Sequence, residues 1–456
     1  MNKNKFNTLN ISAKTLKNLD SLGFSTMTPI QEKSLPFILD HKDVIAKAKT
    51  GSGKTVSFGL GVLNNLDISR FRIQSIVLCP TRELAGQVAK TLKDLARAEH
   101  NIKILTLTGG VPHKPQVHSL SHQAHILVGT PGRILKHLKE ENFSANEINT
   151  LVLDEADRML DMGFTEDINL IIDYLPKKRQ TLLFSATYPD TIEDLSKSIL
   201  VDPVKVEVES THNENIITQK FYEVEAHQKN ALVMKSFQKT HKSVIVFCNT
   251  KVQCNELADF LEECEIEPLV LHSDLDQKDR DETLILFSNK SYPILIATDV
   301  ASRGLDIEDV DLVINYDLPF DFEVYTHRIG RTARAGKNGL AISFVDDTYH
   351  FEDLKDFFDK DFPLSNITEI QKSEDVILSY EYSTLYINGG KRHKLRAGDI
   401  LGALTAGIGL DKHDIGKIDI LPTCSYVAIK NDSYKKAYEG LSSNKMKNKY
   451  YKIYKR

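Results

Sequence analysis

A glycine-rich segment from Ala48 to Thr55 constrains the fold of this chain more than any other feature. It reads as a phosphate-binding P-loop, with Ala48 in place of the usual first glycine and with the residues Ala48, Lys49, Thr50, Gly51, Ser52, Gly53, Lys54 and Thr55 around the phosphates. The two glycines let backbone N–H groups approach a nucleotide triphosphate, and a helix N-terminus follows. We expect Lys54 to reach the β- and γ-phosphates and the Thr55 hydroxyl to bind Mg²⁺.

A second segment supplies the carboxylates that such a site needs. Leu151, Val152 and Leu153 predict a buried strand, and Asp-Glu-Ala-Asp follows from Asp154 to Asp157. Open parallel sheets bind their ligands at the carboxyl ends of the strands. We therefore expect Asp154 to hold Mg²⁺ through its water shell and Glu155 to deprotonate the attacking water. The alternative, a solvated acidic loop, does not account for the aliphatic strand before it.

Length and composition bound the rest of the analysis. A chain of 456 residues with 41% hydrophobic residues predicts about three domains with well-formed cores. Its five cysteines have no metal-binding spacing, as expected for reduced thiols in the cytosol. No apolar run is long enough to span a bilayer, so we expect a cytoplasmic protein.

The net charge of −5 is distributed unevenly along the chain. From Lys372 to Arg456 there are 16 Lys and Arg against 9 Asp and Glu, which leaves a balance of −12 for the preceding residues. A basic module on an acidic body is typical of proteins that bind a polyanion through its phosphates. The alternative is a solubilising lysine-rich tail.

The segment from Gly23 to Gln31, with Phe6 upstream, resembles the Q motif of the DEAD-box RNA helicases. Met27 stands where that family usually has proline. The resemblance implies that Gln31 reads the adenine edge of ATP and that the Phe6 ring stacks on the base. It also implies two RecA-like domains that close on ATP and RNA together, and hydrolysis that then releases the RNA.

Further motifs follow in the order that the family shows, and each extends the resemblance. Residues 80–85, 109–110 and 130–133 resemble the family's motifs Ia, GG and Ib. The resemblance implies that the first domain contacts the RNA backbone through them, which provides affinity without sequence choice. Gln277 and Arg280 match the family's Gln-x-x-Arg element, and residues 298–306 resemble motif V. Both imply further RNA contacts on the second domain. The RNA-binding residues implied in this way are Pro80, Thr81, Arg82, Gly110, Thr130, Pro131, Gly132, Arg133, Gln277, Arg280, Thr298 and Arg303.

The remaining motifs imply how hydrolysis is controlled. His327 begins a segment with arginines at 328, 331 and 334, and by resemblance to motif VI Arg331 and Arg334 are arginine fingers that stabilise the γ-phosphate in the transition state. The resemblance also implies that Asp306 faces the ribose of ATP, and that the nucleotide site is coupled to the RNA site through Ser185, Thr187, Asp157 and His327.

The predicted fold class is α/β, with two tandem RecA-like doubly wound parallel-sheet domains followed by a small α+β domain. The boundaries are residues 1–207, a linker 208–215, residues 216–367, a linker 368–379 and residues 380–456. In the last part the order of strands and helices predicts βαββαβ, an RNA-recognition-type (RRM-like) fold. Tyr386 matches the RNP2 aromatic position, but the third strand lacks the RNP1 signature.

The last domain also resembles that of the DbpA subgroup of bacterial DEAD-box helicases, which binds a 23S ribosomal RNA hairpin near the peptidyl-transferase centre. The resemblance implies ATP and Mg²⁺ as cofactors, pre-50S particles as partners and large-subunit assembly as the process. A basic loop, defined as residues 391–396, offers a second RNA surface through Lys391, Arg392, Lys394 and Arg396. The alternatives are a general RNA-remodelling helicase with a nonspecific tether, active in mRNA decay or cold adaptation, and an ATP-gated RNA clamp.

Overall fold

The computed structural model describes residues 4–48, 51–208, 217–237, 241–299, 307, 310–319, 321–333, 339–346, 364–371 and 380–456. The chain forms two compact units, the first containing the described residues up to 208 and the second those from 217 onward. Within these ranges, every helix is too short or too polar to cross a membrane.

The first unit is built on a seven-stranded parallel sheet with the order β3-β4-β2-β5-β6-β1-β7. Its central strands are aliphatic and buried on both faces, as parallel sheets covered by helices require. The strands are β1 Val44–Lys47, β2 Ser75–Leu78, β3 Ile104–Leu107, β4 Ile126–Gly129, β5 Thr150–Asp154, β6 Gln180–Ser185 and β7 Val204–Glu207.

Helices cover both faces of this sheet and enclose one apolar core on each side. The carboxyl ends of the strands therefore remain available for a site. The helices are α1 Ala13–Ser21, α2 Pro29–Leu39, α3 Lys54–Asn64, α4 Arg82–Leu95, α5 His113–Ser121, α6 Pro131–Lys139, α7 Ala156–Asp161, α8 Thr165–Tyr174 and α9 Asp190–Ile199.

The second unit repeats the architecture, with a seven-stranded parallel sheet of order β10-β11-β9-β12-β13-β8-β14. Its strands are β8 Ile217–Glu223, β9 Val244–Cys248, β10 Leu269–Leu271, β11 Ile294–Thr298, β12 Leu312–Asn315, β13 Gly339–Val345 and β14 Leu364–Ser365. Its helices are α10 Lys229–Ser236, α11 Lys251–Glu263, α12 Gln277–Ser288, α13 Phe322–Ile329 and α14 Thr368–Gln371. Two RecA-like sheets in tandem confirm the predicted architecture, and the predicted linker 368–379 begins within α14.

A small module follows, with an antiparallel sheet of order β16-β17-β15-β18. Its elements are β15 Tyr382–Ile387, α15 Ala397–Gly402, a π-helical turn Ala403–Gly407, β16 Ile415–Ile420, β17 Ser425–Lys430, α16 Asn431–Ser443 and β18 Ile453–Lys455. This order confirms βαββαβ. The last strand follows a turn in which Lys447 and Asn448 adopt positive φ.

One face of this small sheet packs on helix α12 of the same unit. Thr384 accepts a 2.8 Å hydrogen bond from Asn289 Nδ2 and lies 2.6 Å from the Ser291 hydroxyl. Ile285 of α12 is buried with Tyr426, which is 1% exposed. The Arg456 side chain forms an ion pair with Glu282. The small module is therefore joined to the second RecA-like domain by apolar, hydrogen-bonded and ionic contacts.

Candidate ATP site and RNA-facing residues

The loop after β1 has the backbone of a phosphate cradle. Gly51 and Gly53 have φ of 80° and 95°, values that a side chain disfavours. A Cβ on Gly53 would lie 2.4 Å from the side-chain nitrogen of Gln31. The backbone angle favours glycine at both positions, and space also favours it at 53, while Lys49 and Thr50 lie outside the described residues.

Lys54 occupies the first turn of α3 and is only 6% exposed. Within the part of the chain that the structure describes, its Nζ has no hydrogen-bond partner, and neither does the buried hydroxyl of Ser52. A buried ammonium without a partner is costly. Both groups are therefore ready to donate to the phosphates of a nucleotide in this loop.

Asp154 ends β5 and is almost fully buried. Burial raises the pKa of its carboxyl group to about 7, Lys54 lowers it, and the neighbouring Glu155 and Asp157 raise it. Asp154 thus lies within electrostatic range of Lys54 and of two further carboxylates. This excess negative charge, with the half-buried Thr55 hydroxyl at the start of α3, suits a hydrated divalent cation.

Glu155 is held in an unusual conformation immediately after the strand. Its φ and ψ are 53° and 55°, a left-handed geometry that costs a non-glycine residue free energy. Arg158 Nη1 donates a 2.9 Å hydrogen bond to Glu155 Oε2, and the two side chains are 6% and 5% exposed. The strained backbone and the buried arginine together fix the direction of the carboxylate.

Asp157 connects this segment to the end of β6. Its Oδ2 accepts hydrogen bonds of 3.0 Å from the backbone N–H groups of Ala186 and Thr187, and one of 3.2 Å from the Thr187 hydroxyl. The carbonyl of Ser185 accepts a 3.0 Å hydrogen bond from Ala48 N–H. The predicted coupling residues of the first unit therefore form one continuous path from the P-loop to the acidic segment.

The structure places the two Q-motif residues in different surroundings. Gln31 donates to the carbonyl of Gly53 at 3.1 Å and accepts from Thr28 N–H at 2.9 Å, so it braces the P-loop directly. Phe6 is 3% exposed and packs in an apolar cluster with Leu19 and Leu60. The roles predicted for Gln31 and Phe6 at the adenine base stay predictions.

Arg82 is the exposed cation of the first RNA-facing motif, and it lies over the glycine pair at 109 and 110. A Cβ on Gly110 would clash with the guanidinium, and its φ of 70° also favours glycine. Thr81 uses its hydroxyl to cap α4, accepting from Leu84 N–H at 3.2 Å, and Pro80 before it is buried. Motifs Ia and GG therefore form one surface, with Arg82 as its exposed donor.

Arg133 belongs to the third such motif and is oriented by Gln116, a residue that the sequence did not single out. Gln116 Oε1 accepts from Arg133 Nη1 and lies 2.9 Å from His137 Nε2, while its Nε2 donates to the Thr108 carbonyl. Burial and the nearby Arg82 lower the pKa of Arg133. Thr130 and Pro131 at the start of α6 are buried and Gly132 is exposed, so only part of this turn faces solvent.

Motif VI in the second unit contains a buried arginine at its centre. Arg328 donates to Asp299 through Nε and Nη2 at 2.6 Å each, and its guanidinium carbon lies 5.2 Å from the centre of the Phe247 ring. It also donates to the carbonyl of Asp317 and to Asn249 Oδ1. This network joins motif VI to the segment after β11, so Arg328 has a structural role.

The predicted fingers and RNA-facing residues of the second unit are described only in part. Arg331 is 7% exposed, and His327 is half-buried in α13. Gln277 begins α12 and donates to Asp281, while Arg280 and Thr298 are half-buried. Three predicted residues lie outside the described residues: Arg303, Asp306 and Arg334.

In the small module the structure separates the two predicted RNA surfaces. Tyr386 is half-buried between Tyr426 and Tyr454, with the guanidinium carbon of Arg456 5.5 Å from its ring centre. It also packs against the cluster that contains Ile285 of α12. The role predicted for Tyr386 in RNA binding stays a prediction. In the basic loop, Lys391, Arg392, Lys394 and Arg396 are all exposed.

Three positioning residues emerged only from the structure. Arg158 and Gln116 contact Glu155 and Arg133 of the predicted set, and Arg328, a motif VI neighbour of the predicted fingers, binds Asp299. Spacing could have indicated only Arg158, which lies three residues after Glu155 and so on the same face of a helix. The partners of Gln116 and Arg328 are distant in sequence.

Comparison with known proteins agrees with this geometry. Residues 28–195 match the family described as DEAD/DEAH box helicase, residues 224–336 match the helicase conserved C-terminal domain, and residues 384–455 match the DbpA RNA binding domain. The fold is similar to that of Dbp5 from S. cerevisiae bound to RNA and ADP BeF3, with a TM-score of 0.72 and 29% identity, covering 81% of this chain and 99% of the other.

Two relatives match along nearly the whole length. The chain is 49% identical over 449 residues to the ATP-dependent RNA helicase DbpA of Escherichia coli (strain K12), covering 97% of this chain and 98% of the relative. It is 35% identical over 475 residues to the ATP-dependent RNA helicase DbpA of Bacillus subtilis (strain 168), covering 98% of each. All three parts of the chain are thus shared with these relatives.

Proposed function

Because the chain belongs to the DEAD-box family of ATP-dependent RNA helicases and to its DbpA subgroup, we propose that it unwinds short duplexes in 23S ribosomal RNA. The process would be assembly of the large (50S) ribosomal subunit. The observation that carries the proposal is a complete third module, with an exposed basic loop, fastened to the second RecA-like domain. A helicase with such a module can be delivered to one RNA.

The residues of the ATP site support the following division of labour. Lys54 and the P-loop amides bind the phosphates, and Glu155 takes the proton of the attacking water. Thr55 and Asp154 would hold Mg²⁺, which when bound neutralises charge on the β- and γ-phosphates. Arg331 and Arg334 stabilise the charge that develops on the γ-phosphate.

Coupling to RNA follows from contacts within each unit. Asp157 links the acidic segment to Thr187 by a hydrogen bond, and Gln116 orients Arg133 for contact with the RNA backbone. In the second unit, α12 has Gln277 at one end and the docked module at the other. We propose that the module holds a 23S hairpin near the peptidyl-transferase centre while the RecA-like domains act on an adjacent duplex.

The test is the ATPase rate with three RNAs at equal nucleotide concentration. One is a 23S fragment that contains the peptidyl-transferase hairpin, the second is the same fragment with the hairpin scrambled, and the third is poly-purine RNA. We expect strong stimulation by the intact fragment only. Equal stimulation by all three would overturn ribosomal specificity and favour a general RNA helicase, and an intact duplex under ATP turnover would favour a clamp.

A further inference from the structure

The segment after α16 forms a tight turn that the βαββαβ pattern does not require. Met446 and Lys449 exchange backbone hydrogen bonds of 2.9 and 3.0 Å, and the two residues between them, Lys447 and Asn448, have φ of 52° and 64°. Two consecutive left-handed residues are the mark of a type I′ hairpin turn. Met446 is 1% exposed and anchors it. We name residues 445–452 the C-terminal turn.

Lys447 fastens this turn to the basic loop. Its ammonium donates a 2.8 Å hydrogen bond to the Lys394 carbonyl and lies 3.4 Å from Asp399 Oδ2. The neighbouring Tyr451 ring packs over Gly389, and a Cβ on this glycine would lie 2.3 Å from the ring. The Tyr451 ring also meets the His393 ring edge-on. The basic loop and the C-terminal turn thus form one continuous surface of the module.

This combined surface is strongly cationic. Residues 388–399 and 444–452 contain eight Lys and Arg and a single carboxylate, that of Asp399. Across the described ranges of the chain, Lys447 is the only one of the eight in an ion pair. The other seven are exposed: Lys391, Arg392, Lys394, Arg396, Lys445, Lys449 and Lys452. So dense and unpaired a set of cations suits a chain of phosphates.

An aromatic ring stands at the centre of the C-terminal turn. Tyr450 is 65% exposed, in contrast to the buried Tyr451 beside it, and the Lys445 ammonium lies 5.3 Å from its ring centre. An exposed ring among unpaired cations is the combination by which proteins bind unpaired nucleotides, with the base stacked and the phosphates neutralised. Tyr386 and Tyr426 on the sheet face differ from Tyr450, because their rings pack within the chain.

We infer that Tyr450 is a base-stacking residue of an RNA site that the basic loop and the C-terminal turn build together. The base belongs to an unpaired nucleotide, in a hairpin loop or bulge, and it would displace the Lys445 ammonium from the ring so that this cation moves to a phosphate. The inference rests on the proposed function in that it takes RNA as the ligand of the module.

The test compares full-length variants in the binding of labelled RNA hairpins, at several salt concentrations. Tyr450→Ala should weaken binding by about 5- to 100-fold without changing the salt slope, because it removes a stack and no charge. Tyr450→Phe keeps the ring and should bind like the unmodified chain. The matched control is Tyr454→Ala, which removes a tyrosine 47% exposed on the sheet face and should have little effect.

Three outcomes would overturn the inference: unchanged binding in Tyr450→Ala, an equal loss in Tyr454→Ala, or a loss in Tyr450→Phe. A blunt duplex of the same length provides a further check, because it offers no unpaired base and should bind both Tyr450 variants equally. Thermal unfolding of each variant would show that the module remains folded.

The same measurement separates this inference from the ribosomal proposal. If Tyr450→Ala weakens binding to every hairpin, and the unmodified chain does not prefer the ribosomal one, then stacking holds and ribosomal specificity fails. If the chain prefers the ribosomal hairpin and Tyr450→Ala leaves that preference and affinity intact, then the proposed function stands and the stacking role is wrong.

Discussion

Arg158 Nη1 lies 2.9 Å from Glu155 Oε2, and the two side chains form an ion pair that is almost completely buried. A buried carboxylate that is already oriented can accept a proton from water without first reorganising. The arginine therefore supports Glu155 as the general base, and the predictions below begin with that carboxylate.

Glu155→Gln should reduce the RNA-stimulated kcat for ATP by about 10²- to 10⁴-fold, the usual contribution of a general base. ATP and RNA binding should persist, because the amide has nearly the same shape. Single-turnover hydrolysis and equilibrium binding measure the two effects. Glu166→Gln, which changes an exposed carboxylate on α8, serves as the control. Rapid turnover in Glu155→Gln would refute the general-base role.

Gln116→Ala should raise the KM for RNA by about 10-fold and leave the KM for ATP unchanged, because Arg133 loses the acceptor that orients it. ATPase titrations with each substrate provide the readout. Gln116→Glu keeps an acceptor for Arg133 and should recover most of the affinity. A loss of kcat at saturating RNA in Gln116→Ala would instead indicate a general defect of the first unit.

His137 should make stability depend on pH. Burial, followed by the nearby His113 and Arg133, lowers the pKa of His137 to about 4, from 6.5 in an unfolded chain. Between these values the unfolded state binds the extra proton, so the free energy of unfolding falls as the pH falls from 6.5 to 4, by about 3 kcal/mol in all.

The measurement for His137 is the thermal midpoint of the unmodified chain and of His137→Gln at pH 5 and 7.5. The difference between the thermal midpoints at these two pH values should be smaller in the variant. Glu140, Lys136 and His113 also act on this site, and they remain unchanged in it. His100→Gln, at an exposed position, should keep the full pH dependence. If the difference in thermal midpoint is unchanged in His137→Gln, other groups determine the pH dependence.

Arg328→Ala should destabilise the second unit by about 3 to 5 kcal/mol, because it leaves the Asp299 carboxylate without its buried partner. Chemical unfolding monitors the change. The comparison is Arg70→Ala, which removes an ion pair to Glu147 from an exposed arginine and should cost under about 1 kcal/mol. Similar losses in the two variants would contradict the network described here.

Replacing the four cations of the basic loop together, at Lys391, Arg392, Lys394 and Arg396, should weaken RNA binding and flatten its salt dependence. Each phosphate contact contributes about 0.7 to 0.9 to the slope of log K against log salt. Affinity measured between low and physiological salt tests this. An unchanged slope would place the RNA phosphates elsewhere on the chain.

The sequence by itself determined the fold class and the chemistry of the ATP site. Glycines at 51 and 53, Lys54 after them, and acidic residues directly after an aliphatic strand are local requirements, met by neighbours in the chain. The βαββαβ order of the small module could likewise be predicted, because strand and helix patterns have different periods. Such features depend on short-range spacing.

Only the tertiary structure decided how exposed each predicted residue is and what it contacts. Phe6 and Tyr386 match motif positions, but one is buried in a core and the other packs against an arginine and a helix of the second unit. Gln116 orients Arg133 because its side chain on α5 reaches that of Arg133 on α6, and Tyr450 is exposed in the C-terminal turn. Exposure and contact between distant segments arise from packing, which residue spacing does not encode.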